Sequence, residues 1–141
     1  ESWLAARRDL LEWQPDLVVE QAHDLDLESV VDHYLEAALY FDGPEDDLFT
    51  ADDISEQLRE QSRQDCAKFV QQNVMDLLTF SGPRTAEEQA GHDLWLTRNR
   101  HGAGFWDGDW DQAVGERLTD ASQQFRELSL FRGADGKIYA E

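Results

Sequence analysis

Residues 27–41 read LESVVDHYLEAALYF, and the order of apolar and polar residues in this stretch decides the fold class. Its apolar side chains recur three or four residues apart, which is the spacing of one face of an α-helix. They are Leu27, Val30, Val31, Tyr34, Leu35, Ala38 and Leu39. Asp26 stands where a helix N-cap belongs, and Asp42-Gly43-Pro44 ends the pattern. We therefore predict a helix over 27–41 capped by Asp26.

Helical spacing recurs on both sides of this segment. Upstream, it predicts a helix over 3–13 and a short one over 15–22 that starts at a proline. Downstream, it predicts a long helix over 51–80 after a Thr-x-x-Asp pair, and one over 86–98 after a complete T-x-x-E capping box. Asp109 is the predicted cap of a last helix with a regular apolar rhythm. The members of that rhythm are Trp110, Val114, Leu118, Ala121, Phe125 and Leu128.

The pattern changes near the C-terminus. Residues 128–131 and 137–139 are β-forming stretches that flank the loop sequence Gly-Ala-Asp-Gly at 133–136, which is typical of a hairpin. The predicted fold class is therefore mainly α (α+β), with about five to six helices and a small C-terminal antiparallel β-hairpin.

Length and composition bound the domain organisation. The chain has 141 residues, 40% of them hydrophobic and 11% aromatic, which indicates one folded domain over 1–141. We divide it into an acidic helical half, 1–80, and a part over 84–141 with a motif helix, a loop, a helix and the hairpin. A single cysteine excludes a disulfide framework and a Cys-cluster zinc site. No apolar run spans a bilayer and no secretory signal is evident, so we expect a cytoplasmic protein.

The charge is strongly negative and unevenly distributed. Lys and Arg total 12 against 31 Asp and Glu, so 12 − 31 gives −19. No Lys or Arg occurs between Arg8 and Arg59, whereas sixteen acidic residues lie from Asp9 to Glu56. Nucleic acids and anionic membranes are polyanions, so the charge argues against both as direct partners.

The acidic residues are also regularly spaced. From Glu12 to Glu36 they occur at every fourth position, where like charges on a helix repel each other by a few tenths of a kcal/mol per pair. A solvated helix face is one interpretation, and a surface for a cationic partner is the other. The predicted partner-binding residues are Glu12, Asp16, Glu20, Asp24, Glu28, Asp32, Glu36, Asp46, Asp47, Asp52 and Asp53.

The densest segment in polar and aromatic residues is 90–111, AGHDLWLTRNRHGAGFWDGDWD. Its candidate site residues are His92, Asp93, Arg98, Asn99, His101 and Asp107. A His–Asp pair with an arginine suits acid–base chemistry on an anionic substrate. No H-x-x-x-H pair is present, so we predict no metal or other cofactor and assign no catalytic residue.

A structural interpretation of this segment explains the same residues. In it, His92 and Asp93 hydrogen-bond back to the loop 102–104, and Asn99 adopts a left-handed conformation at the helix end. The aromatic side chains then fill the core beside the loop. These are Trp95, Phe105 and Trp106.

Residues 90–107 resemble the signature of a family of small tailed-phage proteins whose usual form is close to AGHDFWLTRNGHGAGFWD. The stretches 65–69, 115–119 and 135–139 resemble the same family. Two positions of the signature differ, since Leu94 replaces an aromatic residue and Arg100 replaces a glycine. The resemblance implies a phage origin and a role inside the infected cell, and it carries over no catalytic role to any of these residues.

These observations favour a non-enzymatic inhibitor. An acidic phage protein could bind the basic surface of a nucleic-acid-binding or defence protein of the host, with carboxylates in place of backbone phosphates. A second hypothesis is a small enzyme or ligand-binding protein centred on the 92–107 motif. A third is an interaction or assembly module without mimicry, in which the Trp-rich loop 105–110 makes the contact.

Overall fold

The computed structural model describes residues 25–45 and 48–141. They form α1 (Leu27–Asp42), α2 (Glu56–Leu77), α3 (Ala86–Arg98), α4 (Gln112–Ser122), β1 (Leu130–Arg132) and β2 (Ile138–Ala140). A mainly helical chain with a small antiparallel hairpin is thus confirmed. The four α-helices of the described residues are fewer than the five to six predicted for the whole chain. The helices predicted over 3–13 and 15–22 lie outside the described residues.

α1 confirms the helix predicted over 27–41, and the Asp26 side chain caps its first turn. Its apolar face is buried and packs across α3. The two helices approach closely at Gly91, where an added Cβ would lie 2.4 Å from the carbonyl oxygen of Val30. Beside this crossing Tyr34 and Trp95 meet edge to face, with ring centroids 5.3 Å apart. The crossing of α1 and α3 is the centre of the core.

The helix predicted over 51–80 begins later than expected. Thr50 and Asp53 do form a capping box, but it opens only a 3-10 turn. The chain then extends, and the Ser55 hydroxyl accepts a hydrogen bond from the Leu58 N–H at 3.0 Å to cap α2. Since Ser55 supplies a second cap, the predicted single helix is divided into a turn and a helix.

A bend in α2 lies at Asn73, near its C-terminal end. The backbone there has φ −130°, and the Asn73 side-chain amide donates to the Phe69 carbonyl at 2.8 Å. The polar turn over 61–64 is regular helix. A side chain that hydrogen-bonds the preceding turn is a common cause of such a bend.

α3 begins as predicted, with a complete capping box. The Thr85 hydroxyl accepts from the Glu88 N–H, and the Glu88 carboxylate accepts from the Thr85 N–H, both at 3.1 Å. The second bond lowers the pKa of Glu88. At the other end Asn99 is not left-handed (φ −98°); the left-handed residue is Arg100, with φ 58°. Arg100 stands where the phage-family pattern has glycine.

α4 begins two residues after the predicted position. Its N-cap is Asp111 rather than Asp109, and the Asp111 side chain makes no capping hydrogen bond. The helix ends at Ser122, although the apolar rhythm continues to Leu128. Phe125 and Leu128 still pack against the core from the coil that follows. The rhythm therefore identified buried residues correctly but overestimated the helix length.

The C-terminal hairpin is confirmed with small shifts from the predicted strands, 128–131 and 137–139. β2 also forms a parallel bridge between Ile138 and Ile54. In this bridge the Ser55 N–H donates to the Ile138 carbonyl at 3.0 Å. The hairpin is thereby attached to the segment that precedes α2.

Candidate functional site

Three predicted partner-binding carboxylates lie together on α1. Glu28, Asp32 and Glu36 are exposed and four residues apart, so they form a row with an axial spacing of about 6 Å. The residues between them supply the buried side of the helix. No Lys or Arg occurs in 25–45, so α1 itself offers no compensating charge. We call these three residues the acidic face.

α2 neutralises one end of the acidic face. Arg63 Nε lies 3.1 Å from a carboxylate oxygen of Glu28, and the same guanidinium bonds Glu60 at 3.0 Å. Asp32 and Glu36 form no ion pair with any residue in 25–45 or 48–141. Two of the three carboxylates therefore remain available to a cation from another molecule.

The predicted carboxylates near the 3-10 turn differ in their roles. Asp53 accepts from the Thr50 N–H at 2.9 Å and so serves the capping box. Asp52 is exposed, and its carbonyl accepts from Lys137 Nζ at 3.1 Å. The other predicted partner-binding residues lie outside the described residues. These are Glu12, Asp16, Glu20, Asp24, Asp46 and Asp47.

Asp93 of the motif is buried in α3, with 1% of its side chain exposed. Its Oδ2 accepts from Gln89 Nε2 and Trp110 Nε1, each at 2.9 Å, and its Oδ1 lies 3.2 Å from His92 Nδ1. Several polar partners compensate the burial of this carboxylate. Neither Asp93 nor His92 bonds the loop 102–104 in the described structure, so the predicted contacts to that loop are wrong.

Other side chains hold the loop after α3. Thr97 Oγ1 accepts from the Phe105 N–H at 3.1 Å, and Asp107 accepts from the Gly104 N–H at 3.2 Å. Phe105 is buried as predicted, but Trp106 is 53% exposed and does not fill the core. Since Phe105 takes the core position, its neighbour in the turn faces outward.

The Arg98 guanidinium is held inside the fold, with 2% of its side chain exposed. Nε and Nη2 donate to the carbonyl of Arg126 at 3.0 and 2.7 Å, and Nη1 donates to Asp65 at 2.8 Å and to Tyr34 at 3.0 Å. Burial raises the pKa of the Tyr34 hydroxyl. Asn99 likewise uses its side-chain amide to bond two backbone groups. Both residues stabilise the core rather than face a ligand.

The two motif histidines are half-buried, and both contact the ring of Phe41. The ring centroids of His92 and His101 are 5.7 and 5.8 Å from that of Phe41. His101 Nε2 lies 2.8 Å from an Asp42 oxygen that also accepts from Trp95 Nε1 at 2.7 Å. An imidazole held by a carboxylate through one nitrogen can exchange a proton at the other.

The six motif candidates do not share one set of contacts. Arg98 and Asn99 bond core groups, Asp107 bonds a turn, and the histidines approach the surface at Phe41. Within the described ranges, no group of three or more His, Cys, Asp and Glu side chains could hold a metal ion.

Sequence reasoning missed the roles of Asp42 and Arg63. Asp42 was interpreted only as part of a helix stop, although a carboxylate at a helix C-terminus is opposed by the helix dipole. That unfavourable placement is a signal that other groups hydrogen-bond the carboxylate, here the Trp95 indole and the His101 imidazole. Arg63 lies just beyond the base-free run, but nothing in its spacing identifies Glu28, 35 residues earlier, as its partner.

No helix in the described part of the chain is long and apolar enough to cross a membrane. Comparisons with protein-family models, curated proteins and solved structures find no match to this chain.

Proposed function

We propose that the protein is a non-enzymatic inhibitor that binds a basic, nucleic-acid-binding protein of a host cell. The observation that carries this proposal is the pair Asp32 and Glu36, exposed on one helix face with no ion pair to a described residue. Like charges four residues apart on a helix repel each other, and cations of a partner would relieve that repulsion. The carboxylates would take the place of phosphates in a basic groove.

Charge-assisted hydrogen bonds from Arg or Lys would supply the contacts. Binding of this kind weakens as salt rises, because ions screen exposed charges and compete for the same groups. The resemblance of 90–107 to tailed-phage proteins supports an action inside an infected cell, against a defence system or during host takeover. The cytoplasm of that cell is the proposed location.

Affinity capture from a host-cell lysate tests the proposal. The bait is the full chain, compared with D32K/E36K and with E116K/D120K, a matched reversal of two exposed carboxylates four residues apart on α4. We expect the native and control baits to recover a partner that double-stranded DNA and rising salt release, and D32K/E36K to lose it. Recovery by D32K/E36K at the native level, or recovery indifferent to salt and DNA, would contradict the proposal.

A second candidate is a small enzyme or ligand-binding protein that uses the motif histidines. It is favoured by the two His–Asp pairs whose imidazoles both contact Phe41. The double variant H92Q/H101Q separates the candidates. If the acidic face carries the function, this variant retains partner capture, whereas a function of the motif would be lost with the histidines.

A further inference from the structure

A groove of about 570 Å³ lies beside the acidic face, between α1 and the segment that precedes α2. Its apolar lining includes Leu35, Leu39, Tyr40, Phe49, Ala51 and Ile54. Asp32 and Glu36 also line it from α1, and Arg59 lines it from α2. The groove therefore combines an apolar surface with two carboxylates and one guanidinium.

The wall opposite α1 is held in place by bonds to other parts of the chain. The Thr50–Asp53 capping box fixes its turn, and the Ile54–Ile138 bridge attaches its end to β2. Lys137 Nζ donates to a carbonyl in the same turn, that of Asp52. A groove formed in advance loses less conformational entropy when it binds a partner than a flexible one does.

The charged side chains of the groove are also left without ionic partners in the described ranges. None of its three charged side chains forms an ion pair within the ranges 25–45 and 48–141. At its edge Tyr40 is 82% exposed, although it follows the buried stripe of α1. Apolar surface bordered by charged groups is typical of a protein-binding site. A complementary partner must supply apolar side chains together with predominantly positive charge.

We propose, building on the function proposed above, that this groove binds an amphipathic basic helix of the partner protein. From Asp32 to Tyr40 the groove follows nine residues of α1, a rise of about 12 Å, which is close to two turns of a second helix. Apolar residues of that helix would enter the groove, and flanking Arg or Lys would pair with Asp32 and Glu36. Arg59 would bond an acidic residue or the carbonyl end of the bound helix.

A second copy of this chain is a poor occupant by charge. The chain carries −19, the range 25–45 contains no Lys or Arg, and the groove holds two carboxylates against one guanidinium. Two such surfaces would bring carboxylates against carboxylates, which is unfavourable. A basic helix has the opposite sign and is the occupant that the groove favours.

The test uses synthetic helical peptides of about 15 residues and the full chain, with binding measured by fluorescence anisotropy. One peptide has leucines at i, i+3, i+4 and i+7 with arginines beside them. A second has the same composition in scrambled order, and a third keeps the arginines but replaces each leucine by glutamine. We expect the first to bind at least about tenfold more tightly than the others, because only it presents one apolar face.

Variants of the full chain locate the binding. We expect D32K/E36K to weaken binding of the first peptide about tenfold or more, and Y40S to weaken it several-fold. Both variants change side chains that line the groove. Y40F and the distant E116K/D120K should bind within about twofold of native. Equal binding of the three peptides, no binding of the first, or no effect of D32K/E36K and Y40S would overturn the inference.

Three further outcomes separate this inference from the proposed function. If the lysate partner is released by DNA but binds Y40S and native protein equally, the proposed function stands and the groove inference is wrong. If the first peptide binds the groove but no DNA-competitive partner exists, the groove stands and the proposed function fails. Self-association in analytical ultracentrifugation that Y40S abolishes would identify a second copy as the occupant and overturn the basic-helix proposal.

Discussion

Trp110 donates its indole N–H to the buried carboxylate of Asp93 at 2.9 Å, and this bond joins the loop before α4 to α3. The two residues are 17 positions apart, and both side chains are almost fully buried. Phe80 and Phe105 pack against the same indole ring, with centroids at 4.7 and 5.4 Å. One polar contact thus orients an aromatic cluster between two helices.

Replacing Asp93 by alanine should lower the free energy of unfolding by about 2 to 3 kcal/mol, because buried donors of Gln89 and Trp110 would lose their acceptor. Urea unfolding followed by tryptophan fluorescence and circular dichroism measures this loss. W110F removes only one donor and should lower the free energy of unfolding by less than D93A does. In a double-mutant cycle D93A/W110F should lose less than the sum of the single changes. Strict additivity would show that the two groups do not interact energetically.

Gly91 lies where α1 and α3 cross, and Gly91→Ala should destabilise the protein. Alanine is worth about 1 kcal/mol more than glycine in a helix, but its Cβ would lie 2.4 Å from the Val30 carbonyl oxygen and 2.8 Å from the Tyr34 nitrogen. The helices must separate to admit it, so we expect a net loss of about 1 to 3 kcal/mol in thermal or urea unfolding. G102A is the control, since an added Cβ there meets nothing within 4 Å. A stabilised G91A would contradict the close approach of the helices.

Arg100→Gly should stabilise the protein. Arg100 has φ 58°, a conformation that costs a non-glycine residue about 1 to 2 kcal/mol, whereas the added freedom of glycine in the unfolded chain offsets part of the gain. We expect a net increase of about 0.5 to 1 kcal/mol in the free energy of unfolding. Arg100→Ala keeps the unfavourable backbone and also loses the exposed contact to Glu127 at 3.5 Å, so it should bring no gain. Equal stability of the two variants would refute the explanation.

Asp76 and Arg117 should make stability depend on pH in the acidic range. Arg117 bonds Asp76 through two parallel contacts of 2.8 and 2.9 Å, and this lowers the pKa of Asp76 below its ordinary 3.8. A carboxyl whose pKa is lower in the folded than in the unfolded state stabilises the folded protein at pH values above the unfolded-state pKa. This stabilisation is lost as the pH falls through the folded-state pKa. Native protein should therefore lose more stability than D76N between about pH 5 and pH 2, as melting temperatures would show.

The control for this pH dependence is D120N, which removes an exposed carboxylate of α4 that has no ion pair in the described structure. Its melting temperature should follow the native pH profile. If D76N and native protein have parallel profiles, the Asp76–Arg117 bond does not contribute to acid sensitivity.

Local patterns predicted most of the described helices and the hairpin, because each depends on neighbours within a few residues. The stripe of α1 and the capping box at Thr85 are examples. The start of α2 was predicted wrongly since two competing caps, Thr50 and Ser55, stand five residues apart. Sequence alone does not decide which of them begins the helix, because the Ile54–Ile138 bridge that separates them is a tertiary contact.

The candidate sites were less predictable for the same reason. Spacing placed Glu28, Asp32 and Glu36 on one face, but it could not reveal that Arg63 reaches Glu28 from another helix. The motif identified Asp93 and its neighbours as candidates, but it did not identify the groups that they contact. Arg98 proved to be buried in the core. The groove was not predicted, because its two walls come from segments that the sequence pattern does not relate.

The bridge between Ile54 and Ile138 also sets an order of events on the ribosome. The ribosome synthesises the segment that precedes α2 before it reaches residue 138. The Ser55 N–H and the Asp52 carbonyl therefore gain the hydrogen-bond partners supplied by the hairpin only later. A nascent chain stopped short of that residue lacks the contacts that β2 makes to the second wall of the groove. Competence to bind in the proposed groove should therefore arise only after β2 has been synthesised.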